Sequence, residues 1–173
     1  MRFLPLALTV AAIALPAFAA PASLTVDLKG PKGEKLGVAT LTEAARGVVV
    51  RVEAQGLTPG WHGLHFHEKG DCSTADFKSA GAHVHDTTPA VHGFLAAGSN
   101  DSGDLPNLFA GADGKATADV FTTFVSLTTG GTLPGLLDAD GSALIIHAKA
   151  DDYTTQPIGG AGDRVACAVI KGR

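Results

Sequence analysis

Histidines carry most of the chemistry that this sequence could perform, and the chain has seven of them. His65 and His67 lie two residues apart in a predicted strand, where side chains at that spacing point to the same face. Two imidazoles on the same face of a strand can bind one metal ion together, and histidine is the commonest metal ligand in proteins. If the strand extends to His62, that side chain faces the other way, and we interpret it as a structural hydrogen-bonding residue. The remaining four are His83, His85, His92 and His147.

A long segment without strand pattern, residues 68–104, gathers imidazoles and carboxylates. Loops of this length inside a compact domain are uncommon and are usually functional or disordered. A solvated polar loop would explain the acids, but not so many histidines in so few residues. The combination suits a zinc-type ion. Its members are His83, His85, His92, Asp86, Asp101 and Asp104.

The rest of the chain predicts strands rather than helices. Short segments rich in Val, Thr, Leu and Ile alternate with Gly, Pro, Asn and Asp, and no segment has the pattern of a long amphipathic helix. We therefore predict an all-β antiparallel sandwich or barrel with a long loop at 68–104 and a second Gly-rich loop at 151–162. The predicted strands are 23–29, 38–43, 47–54, 63–67, 117–124, 143–148 and 164–170.

The N-terminus has the pattern of an export signal. Arg2 precedes an apolar stretch at 4–15, and the small-x-small sequence at 17–19 predicts cleavage before Ala20. The stretch is shorter than the roughly 20 apolar residues that span a bilayer. We predict a signal peptide at 1–19 and one mature domain at 20–173, periplasmic or secreted, without stable membrane association.

The net charge and the two cysteines indicate which binding partners and which cellular compartment fit this chain. With 13 basic and 17 acidic residues the net charge is −4, and without a run of Lys or Arg this argues against nucleic acid. An anionic substrate would then need a local positive patch. Cys72 and Cys167 favour one disulfide in an oxidising compartment, although two free thiols or a metal site containing cysteine are alternatives.

Five motifs, in order and at near-family spacing, resemble the copper, zinc superoxide dismutases, and Gln156-Pro157 followed by two glycines resembles their bacterial periplasmic branch. The resemblance covers most of the mature chain. It implies a Greek-key β-sandwich enzyme that converts superoxide anion to oxygen and hydrogen peroxide by one-electron cycling of bound copper. The motifs are GWHGLHFHE at 60–68, SAGAH at 79–83, GDLP at 103–106, LIIHAKADD at 144–152 and GDRVACAVI at 162–170.

The resemblance also implies roles for individual residues. His83 would be catalytic as the bridging imidazole, with one nitrogen on copper and the other facing zinc. Arg164 would guide superoxide to the copper, and Asp151 would hydrogen-bond histidines of both metal sites. Cys72 and Cys167 would form the family's disulfide. The implied copper ligands are His65, His67, His83 and His147.

The implied zinc site departs from the family pattern of three histidines and one aspartate. His83, His92 and Asp104 fit three of its positions, but Asp101 stands where the family has its third histidine. Three outcomes stay open. Asp101 completes the zinc site, since carboxylate oxygen is an ordinary zinc ligand; His85 replaces the missing imidazole; or the site is weak or empty and the enzyme uses copper alone.

Two rival functions fit parts of the pattern. A periplasmic copper-binding protein without turnover would keep the copper ligands but would not require both Arg164 and Asp151. A structural sandwich domain with incidental histidines leaves the ordered placement of these residues unexplained. No exposed apolar stripe identifies a dimer surface, so monomer and homodimer both stay open.

Overall fold

The computed structural model describes residues 22–172, so the predicted signal segment at 1–19 lies outside the described residues. Within them no helix has the length and apolar character needed to cross a membrane. Apart from one 3-10 turn at Lys78–Ala80, the regular elements are strands. They are β1 Ser23–Lys29, β2 Lys35–Ala44, β3 Gly47–Ala54, β4 Gly60–His62, β5 Leu64–His67, β6 Leu108–Ala110, β7 Ala116–Thr122, β8 Ser142–His147 and β9 Arg164–Ile170.

Seven strands form one curled antiparallel sheet in the order β5-β8-β9-β1-β2-β3-β7, and β4 pairs with β6 in a small second sheet. The last strand, β9, lies between β8 and β1, so the two ends of the domain are joined by hydrogen bonds. The prediction of an all-β antiparallel fold is confirmed.

Strand β3 shows why these residues form strands. Val48, Val50 and Val52 are fully buried, whereas the residues that alternate with them, Val49, Arg51 and Glu53, are exposed. This period of two suits a sheet that is buried on one face only, and β-branched side chains pack well there. Strand β8 is buried at all six positions, because the core lies on one side of it and a second, smaller cluster on the other.

The predicted bounds of β1, β3 and β9 are correct, and the strand predicted at 63–67 forms as β5, one residue shorter. Strand β4, which belongs to the other sheet and is separated from β5 at Gly63, was not predicted. Gly63 donates its N–H to the carbonyl of Lys149 and accepts from the N–H of His147. A Cβ at this position would lie 2.9 Å from the Cβ of Ala161, so only glycine allows this close approach. The three-residue strand β6 was not predicted.

The long loop, residues 68–107, returns twice to the outer edge of β5. His83 forms a bridge with His67, and Asp104 forms one with His65. Phe66 completes the pairing, because its N–H donates to the Gly103 carbonyl at 2.8 Å and its carbonyl accepts from Val84 at 2.9 Å. With β8 on its other side, β5 is paired at both edges. The loop residues are thereby placed next to the histidines of β5.

The predicted disulfide is confirmed: Cys72 in the long loop is bonded to Cys167 in β9. Cys167 is 1% exposed and packs with four apolar residues in the second cluster. The bond attaches the beginning of the loop to the centre of the sheet. The four residues are Phe77, Ala80, Ala143 and Ile145.

We expect the double substitution Cys72→Ala and Cys167→Ala to reduce the free energy of unfolding by about 4 to 5 kcal/mol, because the bond closes a loop of 95 residues. The measurement is urea denaturation of the metal-free protein, with reduced wild type as the comparison. A difference of less than about 1 kcal/mol from oxidised wild type would show that the loop is held chiefly by its other contacts.

Candidate metal centre

Four buried imidazoles converge at one point between β5, β8 and the long loop. His65 and His67 come from β5, His147 ends the neighbouring strand β8, and His83 comes from the loop segment that pairs with β5. Each is at most 5% exposed, and one nitrogen of each ring lies within 4.8 Å of the others. The structure therefore brings together all four residues that the sequence suggested as copper ligands.

Each of these rings uses one nitrogen for a protein partner and leaves the other free. The unpartnered atoms are buried, and none has a hydrogen-bond partner within residues 22–172. Leaving a buried polar atom unpaired costs about 1 to 3 kcal/mol, so four at one point need a shared electrophile. The partnered atoms are His65 Nε2 with Asp151 (2.8 Å), His67 Nδ1 with the Gly81 carbonyl (3.0 Å), His147 Nδ1 with the Gly162 carbonyl (3.0 Å) and His83 Nδ1 with Asp101 (2.9 Å).

Burial keeps three of these rings neutral. It lowers the pKa of His67 to about 2, with the nearby His83 and Arg164 adding to the effect. It also lowers the pKa of His147 to about 3 and that of His65 in the same direction, although Asp151 opposes it at His65. Lone pairs on neutral imidazoles are available as ligands at physiological pH, and a set of imidazoles suits copper.

A second cluster beside the first is acidic. His83 Nδ1 lies 2.9 Å from Asp101 and 3.4 Å from Asp104, while His92 Nδ1 lies 2.6 Å from Asp104 and 3.7 Å from Asp101. One ligand atom from each residue lies within 4.8 Å of the others, and all four residues are buried. Two imidazoles and two carboxylates around one point suit a zinc ion.

The electrostatics of the second cluster are opposite to those of the first. Burial would lower the pKa of His83 and His92, but Asp101 and Asp104 outweigh it and raise both, that of His92 to about 11. Burial would likewise raise the pKa of the two carboxyls, and the imidazoles instead lower it. Protons on the imidazoles here balance the carboxylates, which is the charge that a dication would supply when it displaces them.

Two residues connect the clusters. His83 contributes its Nε2 atom to the first cluster and its Nδ1 atom to the second. Asp151 bonds His65 Nε2 through one oxygen at 2.8 Å and His92 Nε2 through the other at 3.1 Å. The N–H of Tyr153 also donates to Asp151, whose pKa is lowered because these bonds outweigh its burial. The orientation of rings in both clusters thus depends on one carboxylate.

His85 stands apart from both clusters. Its Nδ1 donates to the carbonyl of His83 at 2.8 Å, and the half-buried ring lines a cavity of about 390 Å³ together with His83 and His92. Asp101, rather than His85, faces the imidazoles of His83 and His92. His62 is buried and its two nitrogens contact the carbonyls of His147 and Thr58 at 2.6 and 2.8 Å, a structural arrangement.

Arg164 begins β9 and lies half-buried beside the first cluster. Its two terminal nitrogens donate to the carbonyls of Phe77 and Gly81, each at 2.7 Å. Burial lowers the pKa of Arg164, Asp76 opposes this, and a guanidinium stays charged at physiological pH. Arg164 and His147 line the same cavity of about 560 Å³. A small anion entering this channel meets a fixed positive charge next to the imidazoles.

Two supports of the centre were not predicted from the sequence. The carbonyl of Gly81 accepts from both His67 and Arg164. The side chain of Asn107 bonds the backbone N–H and carbonyl of Asp151, both at 2.8 Å. A backbone carbonyl carries no signal in a sequence, although Gly81 lies within the SAGAH motif, and nothing distinguishes this asparagine from others in loops.

Comparison with known proteins gives matches over most of the chain. The family model described as copper/zinc superoxide dismutase matches residues 35–170. A copper-zinc superoxide dismutase from Caulobacter vibrioides is 60% identical over 149 residues, which are 86% of this chain and 86% of that protein. One from Brucella abortus is 34% identical over 185 residues, covering 99% of this chain and all of that protein.

Solved structures agree with the sequence comparison. A double mutant of a superoxide dismutase-like protein from Bacillus subtilis has a TM-score of 0.80 at 41% identity, covering 86% of this chain and 97% of that chain. The Brucella abortus Cu/Zn superoxide dismutase has a TM-score of 0.69 at 32% identity, covering 86% and 99%. This chain belongs to the copper/zinc superoxide dismutase family.

Proposed function

We propose that the chain is a superoxide dismutase with copper bound at the first cluster and zinc at the second. The observation that carries this proposal is the convergence of four buried, unpartnered imidazole nitrogens beside a fixed arginine. Family membership supports the same reaction and both metals.

The ligands follow from the atoms that each cluster presents. Copper would be held by the free nitrogens of His65, His67, His83 and His147. Bound copper would supply the one-electron redox change by which one superoxide becomes oxygen and another, with two protons, becomes hydrogen peroxide, whereas zinc has no redox change. Zinc would be held by His83, His92, Asp101 and Asp104.

Arg164 and His83 have distinct roles in this proposal. Arg164 attracts superoxide into the channel, and its guanidinium is kept in place by the Phe77 and Gly81 carbonyls. His83 can hold a proton at Nε2, because its Nδ1 atom would stay in the second cluster, next to Asp101, when Nε2 is free. Asp151 keeps His65 and His92 in orientation throughout.

We also propose that the protein is exported to the periplasm. The N-terminal pattern with Arg2, the apolar stretch at 4–15 and the cleavage signal at 17–19 supports this. The disulfide supports it independently, since such bonds persist in oxidising compartments. Export would place the activity where superoxide can be removed outside the cytoplasm.

Copper loading tests the reaction itself. We expect copper-loaded protein to accelerate superoxide decay, and the metal-free protein or a His147→Ala variant given the same copper to leave it near the spontaneous rate. The measurement is stopped-flow absorbance of superoxide with copper per chain determined in parallel. Stoichiometric copper without acceleration would instead identify a copper-binding protein without turnover.

Arg164→Ala should slow turnover about tenfold at low ionic strength, because the local positive charge that attracts the anion is lost. The difference from wild type should shrink as salt screens the charge. Arg164→Lys keeps the charge and should retain most of the salt dependence. Arg51→Ala is a matched control, because it removes the same charge from an exposed position of β3. Unchanged activity of Arg164→Ala at low salt would refute the steering role.

Zinc titration separates the candidate ligands. We expect Asp101→Ala to weaken zinc binding by more than about tenfold, since a carboxylate in contact with the ion is removed, and His85→Ala to leave it unchanged. The measurement is competition with a chromophoric chelator on copper-loaded protein. The reverse result would make His85 the ligand, and absence of zinc binding by wild type would identify a copper-only enzyme.

A further inference from the structure

Gln156, in the second loop, holds the backbone of His92 in the long loop. Its Oε1 atom accepts from the N–H of His92 at 2.9 Å, and its Nε2 donates to the carbonyl of His92 at 2.8 Å. The second hydrogen of Nε2 is directed to the carbonyl of Thr154 at 3.1 Å. Both hydrogens and the oxygen of the amide are thus used, so the orientation of the side chain is fixed.

The backbone around His92 depends on side chains, because residues 91–93 belong to no strand. Their three consecutive N–H groups donate to Asn100 at 2.6 Å, Gln156 at 2.9 Å and Asp104 at 2.6 Å. Asn100 and Asp104 are part of the same long loop. Of the three acceptors, Gln156 alone comes from outside it, 64 residues along the chain.

The ring of His92 has to meet partners on both sides. Its Nδ1 lies 2.6 Å from Asp104 in the long loop, and its Nε2 lies 3.1 Å from Asp151 at the start of the second loop. Both contacts are maintained only if the two loops keep a fixed separation at this point. A metal site works only if its side chains stay within about 0.5 Å of their productive positions. Packing and supporting hydrogen bonds must hold them there.

We propose that Gln156 is a positioning residue for the zinc site, acting through His92. It clamps the His92 backbone to the second loop, so that Nδ1 stays next to Asp104 while Nε2 stays on Asp151. This inference rests on the proposed zinc site. Gln156 supports the zinc site rather than the copper site, because its side-chain amide contacts none of the four rings of the first cluster.

Zinc and copper affinities of full-length protein variants test the assignment. Gln156→Ala should weaken zinc binding about tenfold, as loss of a supporting hydrogen-bond partner does, while copper affinity stays at the wild-type value. Gln156→Glu keeps the acceptor for the His92 N–H and should lose less. The readouts are zinc competition with a chromophoric chelator and the visible spectrum of cobalt bound in place of zinc. Gln55→Ala is the matched control, since Gln55 is an exposed glutamine next to β3.

The outcomes separate this inference from the function on which it rests. If wild type binds zinc and Gln156→Ala binds it equally well, the positioning role is wrong. An equal loss of zinc and copper affinity, with a lowered melting temperature, would show a general structural role and would also overturn it. If wild type itself binds no zinc, the zinc assignment fails and the inference fails with it.

Discussion

The structure is organised by the cost of burying nitrogen atoms that have no protein partner. Four such atoms meet where β5, β8 and the long loop come together, and each ring is turned to that point by a bond to its other nitrogen. Without a cation the arrangement is unfavourable, since each unpaired atom costs about 1 to 3 kcal/mol. The metal-binding geometry therefore lowers the free energy of unfolding of the metal-free protein. Metal binding should raise that free energy again, because the ion binds the folded state.

Contacts of the long loop with the sheet hold the four imidazoles in this unfavourable arrangement. The long loop lacks regular strands, yet it is fixed by pairing along β5, by the disulfide to β9 and by the bonds from Arg164 to the carbonyls of Phe77 and Gly81. Arg164 therefore combines two functions. The guanidinium that faces the channel also holds the loop segment that carries Gly81, whose carbonyl orients His67. Under the proposed function, the attraction of superoxide and the orientation of a copper ligand would depend on the same side chain.

The sequence predicted the fold class and the members of the centre because both rest on local patterns. A Val-rich segment identifies β3, and His65-x-His67 places two rings on one face of a strand. Strand β4 was missed because it has only three residues and pairs with β6, which is distant along the chain. The choice between Asp101 and His85 could not be made from spacing, since it depends on how the loop folds back on β5. Gln156 entered only through the resemblance to the bacterial branch, and its role could not be predicted because it acts on the backbone of His92.

Asp101 also changes the charge of the centre. Under the proposed zinc ligation, Asp101 and Asp104 together would neutralise the dication, whereas three imidazoles and one carboxylate would leave a net charge of +1. Charges this close in a buried site act strongly on each other, because the local dielectric constant is low. With a neutral zinc cluster, attraction of an anion would depend on Arg164 and the copper rather than on zinc. Other charges line the same channel: the acids Asp76 and Asp163, and Lys78, whose ammonium lies 3.2 Å from Asp76. Under the proposed function, Arg164 is the cation that hydrogen bonds fix beside the imidazoles, and zinc would contribute chiefly by holding the imidazole of His83 in place.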